Sequence, residues 1–302
     1  MSTPAAYIGV VVIWATTPLA IQLSSQEFSY SAALALRMLI GLAFAVLVLW
    51  ISGNKLVHRR ADWWAFVAGG LTLFPNMILV YAAAQTIPSG LMSIIFGTFP
   101  IWVGLFSMPI LGHSFLELPK LCAMVLAIIG LVLVKADHTA LGENALVGMG
   151  LMLLATCLFA LASVWLKRVG QGIGALRQTV GTLLTSTPFF ILSWWIVDGR
   201  MPAHSAWLSF DMVLVIYLAV MGSVLGASLY FYILRHCKPI NVSLVTLFAP
   251  VLALIIGVVF VNEKVTVLAL AGCIIILLAL GLYQGIYRVF WIQIANRVRN
   301  KD

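Results

Sequence analysis

Charged side chains are scarce in this chain: 9% of its 302 residues are charged, whereas 63% are hydrophobic, and the mean hydropathy is +1.11. A water-soluble domain carries about 25% charged residues. A chain of this composition cannot keep so much apolar surface out of water, which excludes a soluble globular protein. We therefore predict a polytopic membrane protein whose solvent is lipid.

Among the charged residues the acidic ones are the scarcer, with 9 Asp and Glu against 17 Lys and Arg. All of them fall at the ends of apolar runs, in connections or in the C-terminal tail. A proton-relay carboxylate or a sodium ligand is expected in the middle of a transmembrane helix. The sequence therefore does not indicate strong proton coupling, and it favours neutral or zwitterionic solutes.

Enzyme and metal-site motifs are also missing. The chain contains no HExxH, DDxxD or Walker sequence. Its histidines lie in connections or at the ends of apolar runs, which disfavours transmembrane haem ligation. Its four cysteines lack CxxC spacing. We expect no enzymatic activity, no cofactor and no bound metal.

Apolar runs of about 20 residues, the length of a bilayer-spanning helix, are what the chain has in abundance. None of them alternates as a barrel strand does. We predict an all-α bundle of ten transmembrane helices, called spans 1 to 10, over residues 5–23, 31–51, 62–84, 89–111, 118–136, 146–167, 175–197, 211–234, 239–261 and 265–287.

Basic residues are concentrated in the connections on one side of this predicted bundle and in the tail, residues 288–302. Because cytoplasmic loops carry the excess of Lys and Arg, both termini are predicted to be cytoplasmic in a cytoplasmic (inner) membrane. The net charge of +8 is then a signal of topology, and no nucleic-acid partner is expected.

A repeat organises the ten runs. Residues 35–41 (ALRMLIG) recur as residues 175–181 (ALRQTVG). Each half contains five runs, an odd number, so the second half must enter the membrane from the opposite side. We predict two inverted five-helix repeats, residues 1–137 and 145–287, with a binding site where they meet near the midplane.

Small and polar residues form one stripe along span 4, with Ser93, Gly97 and Pro100 among them. Span 9 carries a similar stripe with Ser243, Thr246 and Pro250, in which Ser243 and Pro250 match Ser93 and Pro100 at an offset of 150. The prolines are interpreted as kinks at a solute path, with packing kinks as the alternative. For the glycines the alternative is close helix packing, and for the hydroxyls it is a bond to their own backbone.

Polar and aromatic residues at membrane depth complete the predicted path. Twelve residues are predicted to line it: Trp14, Asn76, Tyr81, Gln85, Ser93, Gly97, Pro100, Ser163, Tyr230, Ser243, Thr246 and Pro250. Arg37 and Glu263 are assigned structural or gating roles. For Arg37, the anchoring of an anionic substrate group is the alternative.

Several of these residues stand in an order typical of a known family: Trp14-Ala15, Arg37, the Ile87-Pro88-Ser89-Gly90 turn, Pro100, Gly112, Pro250 and Asn262-Glu263. In these marks the chain resembles a ten-helix, EamA-type member of the drug/metabolite transporter superfamily. It departs from the family in having Gly112-His113 where a Gly-Glu turn is common. The resemblance implies export of amino acids or similar small metabolites through a cavity lined by spans 1, 3, 4, 6, 8 and 9.

The predicted function is a secondary transporter that exports small neutral or zwitterionic metabolites, amino acids first, by alternating access. Two alternatives stay open: a proton-coupled multidrug exporter, and a membrane subunit or lipid-handling enzyme without an aqueous path. The expected partners are a small-molecule substrate and the lipid bilayer, and the protein could act as a monomer or a homodimer.

Overall fold

The computed structural model describes residues 3–112, 118–136, 144–170, 172–237 and 267–283, together with single residues between 242 and 259. Within these ranges the chain is helical and contains no strand. Most of the predicted span 9, both ends of the predicted span 10 and all of the tail, residues 288–302, lie outside the described residues.

The helices coincide with the predicted apolar runs. They are Thr3–Leu23, Tyr30–Ile51, Asp62–Leu73, Asn76–Ala83, Ser89–Phe96, Phe99–Leu111, Leu118–Ala136, Ala145–Val169, Ala175–Val197, His204–Leu208 (a short 3-10 helix), Phe210–Tyr217, Leu218–Gly226 (a π-helix), Ala227–His236 and Val267–Tyr283. In the described part, seven helical stretches, corresponding to spans 1–4 and 6–8, are long and apolar enough to cross a membrane. The prediction of an all-helical, polytopic membrane protein is confirmed.

Spans 3, 4 and 8 are not regular along their length. Span 3 is interrupted at Phe74 and Pro75, and the middle of span 8 is the π-helix. Span 4 is interrupted at Gly97 and Thr98, and Pro100 then lies in the first turn of the next helix. At that position the missing N–H of proline has no helical partner to lose. The interruption lies where the sequence predicted a proline kink.

The packing of the spans follows a recurring pattern. Span 2 packs against span 7, and span 5 against span 10. Span 3 packs against spans 6 and 7, while span 8 packs against spans 1 and 2. The contact of span 3 with span 6 thus corresponds to that of span 8 with span 1, and the contact of span 3 with span 7 to that of span 8 with span 2, five spans apart in each case.

Two glycines at matching positions of the repeated segment permit this packing. A Cβ at Gly41 would come within 3.3 Å of the Ala219 carbonyl oxygen and of the Ser223 side chain in span 8. A Cβ at Gly181 would overlap the ring of Phe66 in span 3. Small residues allow transmembrane helices to approach this closely.

An ion pair connects the start of span 3 to the start of span 7. The Asp62 carboxylate accepts a hydrogen bond from Arg177 Nη2 at 2.7 Å and two more from the backbone N–H groups of His58 and Arg59. Arg177 also donates twice to the carbonyl oxygen of Leu56. The charge of Arg177 is thus matched by a carboxylate and held by the preceding connection.

We expect Gly181→Leu to lower the thermal unfolding midpoint in detergent, because the new side chain displaces Phe66 and separates spans 3 and 7. Overpacking of this kind costs about 1–3 kcal/mol. Gly150→Leu is the matched control: Gly150 is an exposed glycine of span 6 with nothing within 4 Å of its would-be Cβ. Equal losses in the two variants would contradict this account of the packing.

Candidate functional site: a cavity in the middle of the bundle

A cavity lies between the helices, with an empty volume of about 1020 Å³ that includes its open part. Its wall comes from spans 1, 2, 3, 4, 6 and 8, and Ala249 of the predicted span 9 adds to it. Both predicted halves of the chain therefore contribute. The wall is mostly apolar, with methionines (Met77, Met92, Met152) and aromatic rings (Trp14, Phe96, Phe159, Tyr230, Phe231) prominent. We call this space the central cavity.

Arg37 brings a positive charge to the wall. Its side chain is buried, with 3% relative exposure. Nε donates to the Ser223 hydroxyl at 2.9 Å, and Nη1 donates to the Tyr81 hydroxyl at 3.4 Å. Gly222 provides the room for this, since a Cβ there would come within 3.0 Å of Nη2. The guanidinium is thus fixed between spans 2, 3 and 8.

Asn76 contributes an unused acceptor. It is the first residue of the helix Asn76–Ala83, directly after the interruption at Pro75, and its relative exposure is 2%. Its amide oxygen is buried and has no hydrogen-bond partner in the described part of the chain. A buried polar atom of this kind is expected to be satisfied by water or by a ligand.

Four hydroxyls of the wall are satisfied within their own helices. Those of Thr17 and Thr72 donate to the carbonyl oxygens of Ile13 and Gly69, both at 2.6 Å. Ser93 donates to the carbonyl oxygen of Ser89 at 3.1 Å, and Thr156 donates to that of Met152 at 2.8 Å. All four bonds run about one turn back along the same helix. The polar capacity that remains for a solute therefore lies mainly at Arg37 and Asn76.

Five aromatic rings close one end of the central cavity. Tyr230 packs against Trp14 and Phe159, with ring centroids 5.2 and 5.6 Å apart. Phe159 in turn contacts Phe99 at 5.0 Å and Phe96 at 5.7 Å. We call these five rings the aromatic cluster.

A second cavity lies beyond the aromatic cluster, with an empty volume of about 390 Å³ that includes its open part. Its wall follows spans 4, 6 and 8 toward their C-terminal ends, through residues such as Ser107, Lys167 and Leu234. Tyr230 lines both cavities and donates a 3.0 Å hydrogen bond to Ser163. The aromatic cluster therefore separates two spaces along one axis.

Some of the predicted path residues line one of the two cavities, and others do not. Trp14, Asn76, Ser93 and Tyr230 line the central cavity, and Ser163 lines the second cavity. Tyr81 is fully buried behind Arg37. The other described members, Gln85, Gly97 and Pro100, are not among the residues of either wall: Gln85 is exposed, and the other two lie at the interruption of span 4.

Four predicted residues, Ser243, Thr246, Pro250 and Glu263, lie outside the described residues. Conversely, the sequence did not single out Phe96, Phe159 or Ser223 as site residues. Ser223 follows Gly222, whose missing Cβ leaves room for the Arg37 side chain, and the Ser223 hydroxyl accepts the hydrogen bond from Nε. Phe159 belongs to an apolar run with no polar neighbour to mark it.

The model of the EamA-like transporter family matches this chain twice, over residues 3–136 and 146–283. The chain belongs to the EamA-like transporter family. Membership in this family, together with the seven long apolar helices of the described part, indicates a membrane transporter and not an enzyme. The resemblance inferred from the sequence is thereby confirmed.

Relatives of this EamA-like chain are similarly distant. The uncharacterized inner membrane transporter YedA of Escherichia coli (strain K12) is 24% identical over 288 residues, covering 92% of this chain and 90% of YedA. The uncharacterized transporter YvbV of Bacillus subtilis (strain 168) is 24% identical over 268 residues, covering 86% and 85%. The probable amino-acid metabolite efflux pump of Escherichia coli (strain K12) is 26% identical over 237 residues, covering 74% and 76%.

The fold of this EamA-like chain is also found in a solved crystal structure of another protein. The two superpose with a TM-score of 0.67 at 17% sequence identity, over 96% of this chain and 98% of that one. At this identity the likeness concerns the fold alone.

We expect the aromatic cluster to block passage between the two cavities. In a variant whose native cysteines are replaced, Ser93→Cys reports on the central cavity and Ser107→Cys on the second. A membrane-impermeant thiol reagent added on the side that labels position 93 should leave position 107 unlabelled. Adding Phe159→Ala should make position 107 reactive from that side, because it removes the ring that contacts Phe96, Phe99 and Tyr230.

Phe189→Ala is the matched control for this experiment, since its ring is 51% exposed on the outer surface of span 7. It should leave position 107 protected. Labelling of position 107 from that side before any ring is removed would show that the aromatic cluster is not a barrier.

Proposed function

We propose that this protein is a secondary transporter that exports small neutral or zwitterionic metabolites, amino acids first, by alternating access. The observation that carries the proposal is the central cavity, whose wall is built by both halves and whose polar groups are few. Secondary transporters commonly bind their solute near the midplane, between two repeats.

The proposal includes the architecture predicted from the sequence: ten spans in two inverted five-helix repeats, residues 1–137 and 145–287, with cytoplasmic termini and the basic tail 288–302. The twofold match of the family model and the correspondence of contacts between spans five places apart support the repeats. The odd number of predicted spans per half supports their inversion.

The interrupted spans support a role for the cavity in binding. Irregular backbone at membrane depth is tolerated where it is buried in protein or lines a water-filled space. The interruption of span 3 precedes Asn76, that of span 4 follows Phe96, and the π-helix of span 8 carries Ser223. All three residues line the central cavity.

The alternatives receive less support. A membrane subunit without an aqueous path would have no use for a cavity whose wall contains a buried charge, Arg37. Proton coupling usually uses a carboxylate in the path, and none of the described residues of the central cavity is acidic. The name of the Escherichia coli amino-acid metabolite efflux pump supports amino acids as the first solutes to test.

The test is solute exchange by the purified full chain in liposomes loaded with a panel of labelled amino acids. Exchange should persist when an imposed pH gradient is dissipated. Trp14→Ala should slow exchange about tenfold, equivalent to about 1.4 kcal/mol, because it removes one wall of the cavity. Trp50→Ala is the matched control, since Trp50 is 77% exposed on span 2.

Two results would count against the proposal. Protein-dependent exchange of none of the amino acids would remove amino acids as substrates. Collapse of transport on dissipating the pH gradient would instead favour the proton-coupled exporter.

A further inference from the structure

Arg37 is a buried cation with neutral partners. Its Nε and Nη1 donate hydrogen bonds to the hydroxyls of Ser223 and Tyr81. Over the part of the chain that the structure describes, Nη2 makes no hydrogen bond and no acidic residue pairs with the guanidinium. A charge at membrane depth is costly, and it normally pairs with an opposite charge or lies in a functional path.

Arg177 provides an internal comparison, because it occupies the matching position of the repeated segment. Arg177 pairs with the Asp62 carboxylate and donates twice to the Leu56 carbonyl oxygen. Arg37 has hydroxyls in place of a carboxylate and borders the central cavity. Arg37, which has no acidic partner in the described ranges, therefore lies in the wall of a space that a solute can enter.

Asn76 provides the complementary group in the same wall. Among the described residues its buried amide oxygen has no hydrogen-bond partner, so it can accept a hydrogen bond from an N–H or O–H group of a solute. Arg37 can only donate, and its planar guanidinium suits the two oxygens of a carboxylate. The methionines Met77, Met92 and Met152 leave room for an apolar body of adaptable shape.

From these groups we infer that Arg37 binds the carboxylate of the solute and that the central cavity selects small carboxylates with an apolar body. Asn76 accepts a hydrogen bond from the ammonium group when the solute is an amino acid. The cavity discriminates against amines and amides that lack the carboxylate. This inference rests on the proposed transport function and narrows its solutes to those with a carboxylate, so that zwitterionic amino acids bind and neutral solutes without a carboxylate do not.

The experiment measures the thermal unfolding midpoint of the purified full chain with matched probes. L-phenylalanine and 3-phenylpropionate carry a carboxylate, whereas in their primary amides a neutral carboxamide of similar size replaces it. A ligand that binds the folded protein raises the midpoint. We expect both carboxylates to raise it in a concentration-dependent manner and both amides to leave it unchanged.

Variants separate binding from a merely structural role. Arg37→Gln should weaken both carboxylates about 30-fold or more, as truncation of one partner of a buried charge pair does, and Arg37→Lys should restore part of the affinity. Asn76→Leu should weaken L-phenylalanine but not 3-phenylpropionate, which has no ammonium group. Arg177→Gln is the control: it should lower the ligand-free midpoint and leave the ligand-induced shift intact.

Three results would overturn the inference: amides that stabilise as strongly as the acids, carboxylate binding that survives Arg37→Gln, or no shift with any carboxylate. Liposome exchange distinguishes these results from failure of the proposed function. Exchange that proceeds equally with carboxylates and amides would refute the inference while transport stands. Carboxylate binding through Arg37 without flux of any solute would refute transport while the inference stands.

Discussion

The constraint on which this structure depends is that lipid offers no hydrogen bonds to the backbone. Each unsatisfied backbone group at membrane depth costs several kcal/mol, so regular helix is the favoured state of a segment that lipid surrounds. Spans 3, 4 and 8 depart from regular helix next to the central cavity, at Pro75, Gly97 and the π-helix Leu218–Gly226. The irregular backbone and the cavity therefore occur in the same part of the bundle.

The two halves share their packing but differ in chemistry. Gly41 and Gly181 serve the same purpose, admitting span 8 in one case and span 3 in the other. The arginines four residues earlier have diverged: Arg177 is matched by Asp62 at the edge of the bundle, whereas Arg37 is held by hydroxyls at the cavity. The same sequence segment thus holds a matched ion pair in one occurrence and a cation with hydroxyl partners at the cavity in the other.

Hydrophobic run length was sufficient to predict where the helices lie, because the bilayer sets both their length and their composition. The residues Trp14, Asn76, Ser93 and Tyr230 could be placed on the cavity, since polar or amphipathic groups in an apolar run have few other places to go. Phe159 and Ser223 could not, because a ring in the path and a ring in contact with lipid look alike in sequence, and a serine in a membrane helix can also bond its own backbone. The partner of Arg37 depends on the angle between spans 2 and 8, which local pattern does not encode.

Tyr230 is a wall of both cavities at once. A side chain occupies one rotamer at a time, so any movement of its ring that enlarges one compartment takes space from the other. The Ser163 hydroxyl that receives its O–H sets a resting position for this exchange of volume. The sizes of the two compartments are therefore coupled through this one ring, so that its rotation cannot enlarge one of them without narrowing the other.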